Sequence, residues 1–228
     1  MFLTLCLIGC TNPPKKVRSV HTSHNYPGEI YGIDVSHHQG EINWLKVKSW
    51  NEKPLSFVYI KATEGASYVD RNYQQNTRKA RGAGIKVGSY HFFRTTSSAD
   101  SQFEHFIATI GTQEQDLIPM VDLEENDRLS REAYNTEVKK FLLLLENHFG
   151  QKPLIYAPQG FYNTYLKENY LKYYWSIARY SSQTPNLHDT NNWTLWQFTE
   201  HGSVDGIDVP VDINVLNADH KLEFLELR

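Results

Sequence analysis

From Tyr31 onward, short runs of β-branched and aromatic residues alternate with longer stretches whose apolar residues recur every three to four positions. This alternation constrains the fold more than any other feature of the chain. Strands are predicted at Tyr31–Val35, Phe57–Ala62, Lys86–Phe92, Leu117–Leu123, Leu154–Ala157, Tyr174–Ala178, Thr194–Phe198 and Val209–Asn214. Helical patterns fill Asn43–Trp50, Arg71–Ala83, Ser97–Ile110, Ser130–Phe149 and Gly160–Asn169, whereas the last gaps hold none. In the longest of these, Ser130 supplies an N-cap, and Val138, Phe141, Leu142 and Leu145 keep an apolar stripe. Strands that alternate with helices pair in parallel. The expected fold is therefore α/β: a modified TIM-like barrel of five βα units followed by three strands with few or no helices.

A barrel of this kind makes a forecast about position, because its active site lies where the strands end at the C-terminal face. Asp34, Glu64, Tyr90, His91, Asp122, Glu124, Tyr156, Ala178, Trp196, Gln197 and Asp212 all fall at or near predicted strand ends. The sharpest signal is Leu117-Ile-Pro-Met-Val-Asp-Leu-Glu124. Side chains alternate faces along a strand, so Asp122 and Glu124 point one way and Val121 and Leu123 the other. Two carboxyls held close push their proton affinities apart, so one can donate a proton while the other stays ionised. Acid-catalysed cleavage of a glycosidic bond needs that division of labour.

Composition removes several alternatives. The net charge of −3 and the lack of any long basic run leave no field for nucleic acid. With 228 residues, 40% of them apolar, the chain can bury the core of a single domain, and it is read as a monomer. The two cysteines, Cys6 and Cys10, lie in the first ten residues, so the main body has neither a disulfide framework nor a cysteine-based metal site. His37, His38 and His91 lack the spacing of a helical two-histidine site, and no metal or other cofactor is expected.

Residues 1–9 are apolar but fall short of the roughly 18 residues needed to span a bilayer, and read as a lipoprotein-type signal peptide. Leu7-Ile-Gly-Cys10 resembles the lipobox of bacterial lipoproteins, which implies lipidation at Cys10 and a membrane partner through that anchor. Residues 10–30 are polar and proline-containing and form a tether, leaving 31–228 as the barrel. The implied location is the cell envelope, lipid-anchored at the outer membrane and facing the periplasm.

Six segments, in order, resemble the motifs of glycoside hydrolase family 25, the Chalaropsis-type lysozymes. They are Gly32-Ile-Asp-Val-Ser36, Ile60-Lys-Ala-Thr-Glu-Gly65, Gly88-Ser-Tyr-His-Phe-Phe93, Val121-Asp-Leu-Glu124, Leu195-Trp-Gln-Phe198 and Val211-Asp-Ile-Asn214. The resemblance implies hydrolysis, with retention, of the β-1,4 bond between N-acetylmuramic acid and N-acetylglucosamine in peptidoglycan. It places Glu124 at the family's general acid, and Asp122, Asp34 and Asp212 at the other acidic positions of its site. Either Asp122 attacks C1 directly, or the 2-acetamido group attacks while Asp122 steadies the charged intermediate; the second is the working expectation.

Around these acids, Tyr90, Phe92, Tyr156, Trp175 and Trp196 are candidates to stack on pyranose rings. Gln197 alternates with Trp196, so at most one of the two faces the cavity. Glu64 and Asn214 are candidates to hold sugar hydroxyls, and Lys61 to pair with an acid inside the barrel. Two other functions fit parts of this pattern. A chitinase-like hydrolase would share the acid logic but carries Asp-x-x-Asp-x-Asp-x-Glu, which Leu117–Glu124 does not match. A non-catalytic peptidoglycan-binding envelope lipoprotein needs the cleft but not all four acids.

Overall fold

The computed structural model describes residues 28–111, 115–126 and 129–228. The expected signal peptide, Cys10 and most of the tether lie outside them. Among the described residues no helix is long and apolar enough to cross a membrane.

The strands are β1 Tyr31–Val35, β2 Ser49–Trp50, β3 Lys53–Glu64, β4 Tyr68–Val69, β5 Lys86–Phe92, β6 Met120–Asp122, β7 Leu154–Pro158, β8 Tyr174–Ala178, β9 Leu195–Gly202 and β10 Val211–Leu216. Eight of them close into a barrel in the order β1, β3, β5, β6, β7, β8, β9, β10, with β10 hydrogen-bonded back to β1. Neighbours pair in parallel except at β10, which runs antiparallel to both β9 and β1. The helices are α1 Tyr73–Gly82, α2 Ala99–Ile110, α3 Arg131–Phe149 and a short α4 Gln159–Phe161 that widens into a π turn over Tyr162–Leu166. Ser98 and Ser130 cap α2 and α3 by accepting from the backbone N–H groups of Ser101 and Ala133.

The modified α/β barrel stands as the strand and helix pattern predicts, although the expected strand Leu117–Leu123 shortens to Met120–Asp122, the expected helix Gly160–Asn169 to Gln159–Phe161 and its π turn, and the first crossover departs further. Asn43–Trp50 does not form a helix. Ile42, Trp44 and Val47 are buried as helical spacing would bury them, but short-range turns do it, with Lys46 N–H bonded to Asn43 O and Val47 N–H to Trp44 O. The cause lies just downstream. Asn51 and Glu52 both take positive φ (45° and 65°), the geometry of a tight two-residue hairpin, and this folds β2 onto the start of β3. The first crossover is therefore turns and a hairpin.

Alternation along each strand separates two cores. Outward residues such as Val58, Ile60, Val121, Ile155 and Ile177 meet the helices. Inward residues Phe57, Tyr59, Met120, Leu154 and Leu195 fill the barrel, and Leu222, Phe224, Leu225 and Leu227 from the C-terminal segment pack against them. Ile118 N–H bonds to Leu225 O at 2.8 Å, so this plug seals the end where β6 starts. Two inward glycines make room for the rings. A Cβ on Gly32 would lie 2.3 Å from Phe57, and one on Gly88 2.4 Å from Tyr59, its register partner across the β3–β5 seam. With the floor filled by apolar side chains, the polar inward residues collect at the opposite mouth.

Candidate active site

Asp122 is the last residue of β6, and Glu124 stands two positions on, so both carboxyls turn into the mouth. Val121 and Leu123 point the other way and are fully buried in the outer core. The backbone holds this turn from both sides, with Phe93 N–H bonded to Asp122 O and Leu123 N–H to Tyr156 O. Asp34 arrives from β1 and Asp212 from β10, paired directly across the seam. Because β10 runs antiparallel, Asp212 reaches the C-terminal face from the start of its strand rather than from the end.

The four acids line one cavity of about 360 Å³ together with Ser36, His38, Lys61, Tyr90, Phe92, Met120, Tyr156, Tyr180, Gln197 and Glu200. Asp34 is locked in place. Its Oδ2 accepts from Asn214 Nδ2 at 2.7 Å and from Gln197 Nε2 at 2.8 Å, and it also hydrogen-bonds Asp212. The carbonyl of Gln197 in turn accepts from the hydroxyls of Tyr156 (3.0 Å) and Tyr180 (2.9 Å). One amide therefore couples two cleft tyrosines to one catalytic-face acid.

This setting moves every acid of the group upward. Burial, followed by the Asp34 charge and the hydrogen bond with Asp34, pushes Asp212 up to about 9. Burial also raises Asp34, against the donors from Asn214 and Gln197. Burial and the Glu124 charge carry Asp122 well above the usual carboxylate range, with Lys61 opposing. Burial raises Glu124 as well, against hydrogen bonds from Asp122 and Tyr156. The two carboxyls are thus coupled, each raised by burial and Asp122 raised further by the charge of Glu124. A buried oxygen of Asp122, Oδ1, has no hydrogen-bond partner among the described residues.

Several residues singled out in the sequence sit elsewhere. Trp175 and Trp196 do not line the cleft. Both are fully buried in the outer core, where Trp175 packs edge-on against Tyr162 at 4.5 Å and Trp196 Nε1 donates to Arg179 O at 2.8 Å. The reason is the strand period: on β8 the inward positions are Tyr174, Ser176 and Ala178, and on β9 they are Leu195 and Gln197. Asn214 is buried behind Asp34 and serves that carboxylate rather than the open cavity. Glu64 stands outside the cavity lining with both oxygens engaged, Oε2 by Lys61 Nζ at 2.6 Å and Oε1 by Arg94 at 2.9 and 2.6 Å. Arg94 also reaches Glu125, and its guanidinium lies 4.5 Å over the Phe92 ring. His91 is buried between Thr63 and Gln102, and burial lowers it to about 4, so it stays neutral as a packing element.

Tyr180 and Glu200 line the cavity, Arg94 pairs with Glu64 and Glu125 beside it, and the sequence pattern passed over all three. Tyr180 follows β8 by two residues, so the strand-end rule covers it once the barrel is assumed. Glu200 lies on the part of β9 that extends beyond the predicted strand. Arg94 is visible only in three dimensions, through its two acidic partners.

Comparison with known proteins places this cleft. The family model "Glycosyl hydrolases family 25" matches residues 33–207. YegX of Escherichia coli (strain K12) is 37% identical over 191 residues, covering 83% of this chain and 70% of YegX. Lysozyme M1 of Streptomyces globisporus is 33% identical over 207 residues, covering 83% of this chain and 68% of its own. The solved structure of a family 25 glycosyl hydrolase from Bacillus anthracis superposes with a TM-score of 0.80 at 32% identity, over 90% of this chain and 97% of that one. With the acid cluster at the mouth of a matching barrel, the chain belongs to glycosyl hydrolases family 25 and is a glycoside hydrolase of the lysozyme type.

Proposed function

We propose that the protein is a peptidoglycan muramidase that cleaves the β-1,4 bond between N-acetylmuramic acid and N-acetylglucosamine with retention, using Glu124 as general acid. The observation that carries this reading is the Asp122–Glu124 pair, two raised, coupled carboxyls at one strand end with a cleft in front of them. Glu124 is the less deeply buried of the two and the better placed to meet a leaving-group oxygen. The proton moves to Glu124 through its hydrogen bond with Asp122 and from there to the glycosidic oxygen. Asp122, left as an anion and favoured in that form by Lys61, steadies the positive charge that develops at C1 while the 2-acetamido group of the substrate closes on it. Across the cleft, Asp212, pushed up to about 9, offers the sugar a donor, and Asp34 beside it an acceptor.

Digestion of purified peptidoglycan, with mass spectrometry of the new reducing ends, tests the proposal. Muramic acid ends support it; glucosamine ends or intact glycan refute it. A covalent sugar–Asp122 adduct would replace the acetamido route by direct attack. The Leu7-Ile-Gly-Cys10 segment supports a lipid anchor in the cell envelope, and metabolic labelling with a palmitate analogue checks it by incorporation at Cys10.

A further inference from the structure

Among the described residues, Tyr68 and Tyr180 are the two large aromatic side chains left widely exposed, at 38% and 51%. Tyr180 lines the cavity and Tyr68 stands outside its lining, and each has its hydroxyl held by a neighbouring side chain. Tyr180 donates to Gln197. Tyr68 lies 3.1 Å from His37 Nδ1, and buried Asp70 fixes His37 in turn, through its Nδ1 at 2.7 Å and its backbone N–H at 2.9 Å. The His37 ring lies 4.0 Å from that of His38, which lines the cavity. Lys61, another lining residue, sits 5.8 Å from the Tyr68 ring. Each exposed ring is thus the outer end of a continuous wall that begins inside the cleft.

Barrel order gives these two positions a meaning. Tyr68 lies on β4, register-paired with Glu64 at the C-terminal end of β3. Tyr180 follows Ala178, the last residue of β8. In the closed ring β3 and β8 are four places apart, on opposite sides of the mouth. The acids define a second diameter: Asp122 and Glu124 at β6 face Asp212 at β10, four places away, with Asp34 on the adjacent β1. The two diameters cross. A polymer whose scissile bond passes between the acids on β6 and those on β10 and β1 therefore runs along the β3–β8 diameter, from one exposed tyrosine to the other. A pyranose has an apolar face of C–H groups suited to a ring of this kind.

Building on the muramidase reading, we propose that Tyr68 and Tyr180 are the two end platforms of the glycan-binding track, stacking on sugars on opposite sides of the cleaved bond. The hydroxyl tethers keep each ring oriented before substrate arrives, so stacking does not have to order a mobile side chain. Loss of either ring removes contact with a sugar remote from the reacting atoms.

The test uses the purified protein, Tyr68→Ala, Tyr180→Ala and the two Phe variants, with peptidoglycan tetra-, hexa- and octasaccharides of defined length. Each Ala variant is expected to lose kcat/KM on the octasaccharide by about threefold to tenfold, with the loss growing with chain length, and the Phe variants to lose less. The cleavage position should move toward opposite ends of the octasaccharide in the two Ala variants, which a general loss of stability would not produce. Wild-type kcat/KM for both Ala variants, or displacement of cleavage toward the same end in both, would overturn the proposal. Calorimetric binding of the octasaccharide to Glu124→Gln protein, with and without each Tyr→Ala change, separates the two readings. A wild-type protein that cleaves no peptidoglycan sinks the muramidase function, whereas unchanged binding on loss of both rings sinks the track.

Discussion

Asp34 and Asp212 meet across the antiparallel β1–β10 seam, in direct register and hydrogen-bonded to each other, and burial together with the Asp34 charge pushes Asp212 up to about 9. Stability alone would not select this contact. Placing two acids in a partly desolvated site costs free energy that a neutral pair would not. The donors from Gln197 and Asn214 converge on Asp34 and mark it as the member that carries the charge, leaving Asp212 as the protonated partner.

Replacing Asp212 with Asn should stabilise the fold, and more so at alkaline pH. Its carboxyl is raised from 3.8 to about 9, so the folded chain holds a proton that the unfolded chain releases. For this group stability is greatest below the unfolded value and falls as pH rises through that window toward 9. Asn cannot ionise and removes the fall. Because Asp212 is only partly buried and water screens it, the gain at pH 8 is about 1–2 kcal/mol, or about 2–8 °C in Tm. Thermal melts of both proteins at pH 5 and pH 8 check this. A gain equal at the two pH values would argue against a protonated Asp212.

Glu124→Gln should leave the cleft and its affinity for glycan intact while kcat falls about 100-fold to 10,000-fold, the range associated with a positioned proton donor. Asp122→Asn should also lower kcat, without lowering Tm, because it replaces a desolvated ionisable carboxyl by a neutral group of the same shape. Steady-state kinetics on soluble peptidoglycan fragments, with melting curves for each variant, measure both effects. Retained turnover in Glu124→Gln would move the acid role to Asp122.

Trp175 and Trp196 are expected to matter for stability and not for binding. Each is fully buried in the layer between barrel and helices. Truncation to Ala should cost about 3–5 kcal/mol, enough to threaten folding, so Trp→Phe is the more useful change. In the Phe variants the expected outcome is a lower Tm with an unchanged KM for glycan. A raised KM at wild-type stability would return these rings to the cleft.

These two tryptophans also mark where sequence reading ends. Strand alternation correctly turned Asp122 and Glu124 away from Val121 and Leu123, because an acid pair and an apolar pair cannot share a face. The same rule applied to Trp196 and Gln197 says that at most one of them faces the cavity but not which, since an aromatic fits either a core or a sugar cleft. The turn at Asn51–Glu52 was hidden for another reason. Asn43–Trp50 has helical apolar spacing, and a hairpin nucleated by two left-handed residues overrode it. Arg94 was invisible because its partners Glu64 and Glu125 lie 30 and 31 positions away.

Arg94 supports the final prediction. It binds Glu64 through two nitrogens and also pairs with Glu125, the residue beside the proposed acid. Glu124 is faced by Asp122 on its own strand end, Tyr156 on β7, Asp34 on β1, Asp212 on β10 and Glu125 in its loop. Of these, the Glu125 charge is the one that Arg94 compensates. Without the guanidinium, an unpaired Glu125 favours the protonated form of Glu124, raises its pKa and moves the alkaline limb of the kcat profile to higher pH, by about half a unit to one unit. Absolute kcat falls at the same time, because the loop after β6 loses a tether. Arg94→Lys keeps the charge but not the fork and should shift the limb less. In Arg94→Ala/Glu125→Gln no unpaired charge remains, and the limb should return toward its original position. Profiles of kcat against pH for the three variants measure this, and an Arg94→Ala limb that coincides with wild type would mean that Arg94 acts on the loop alone.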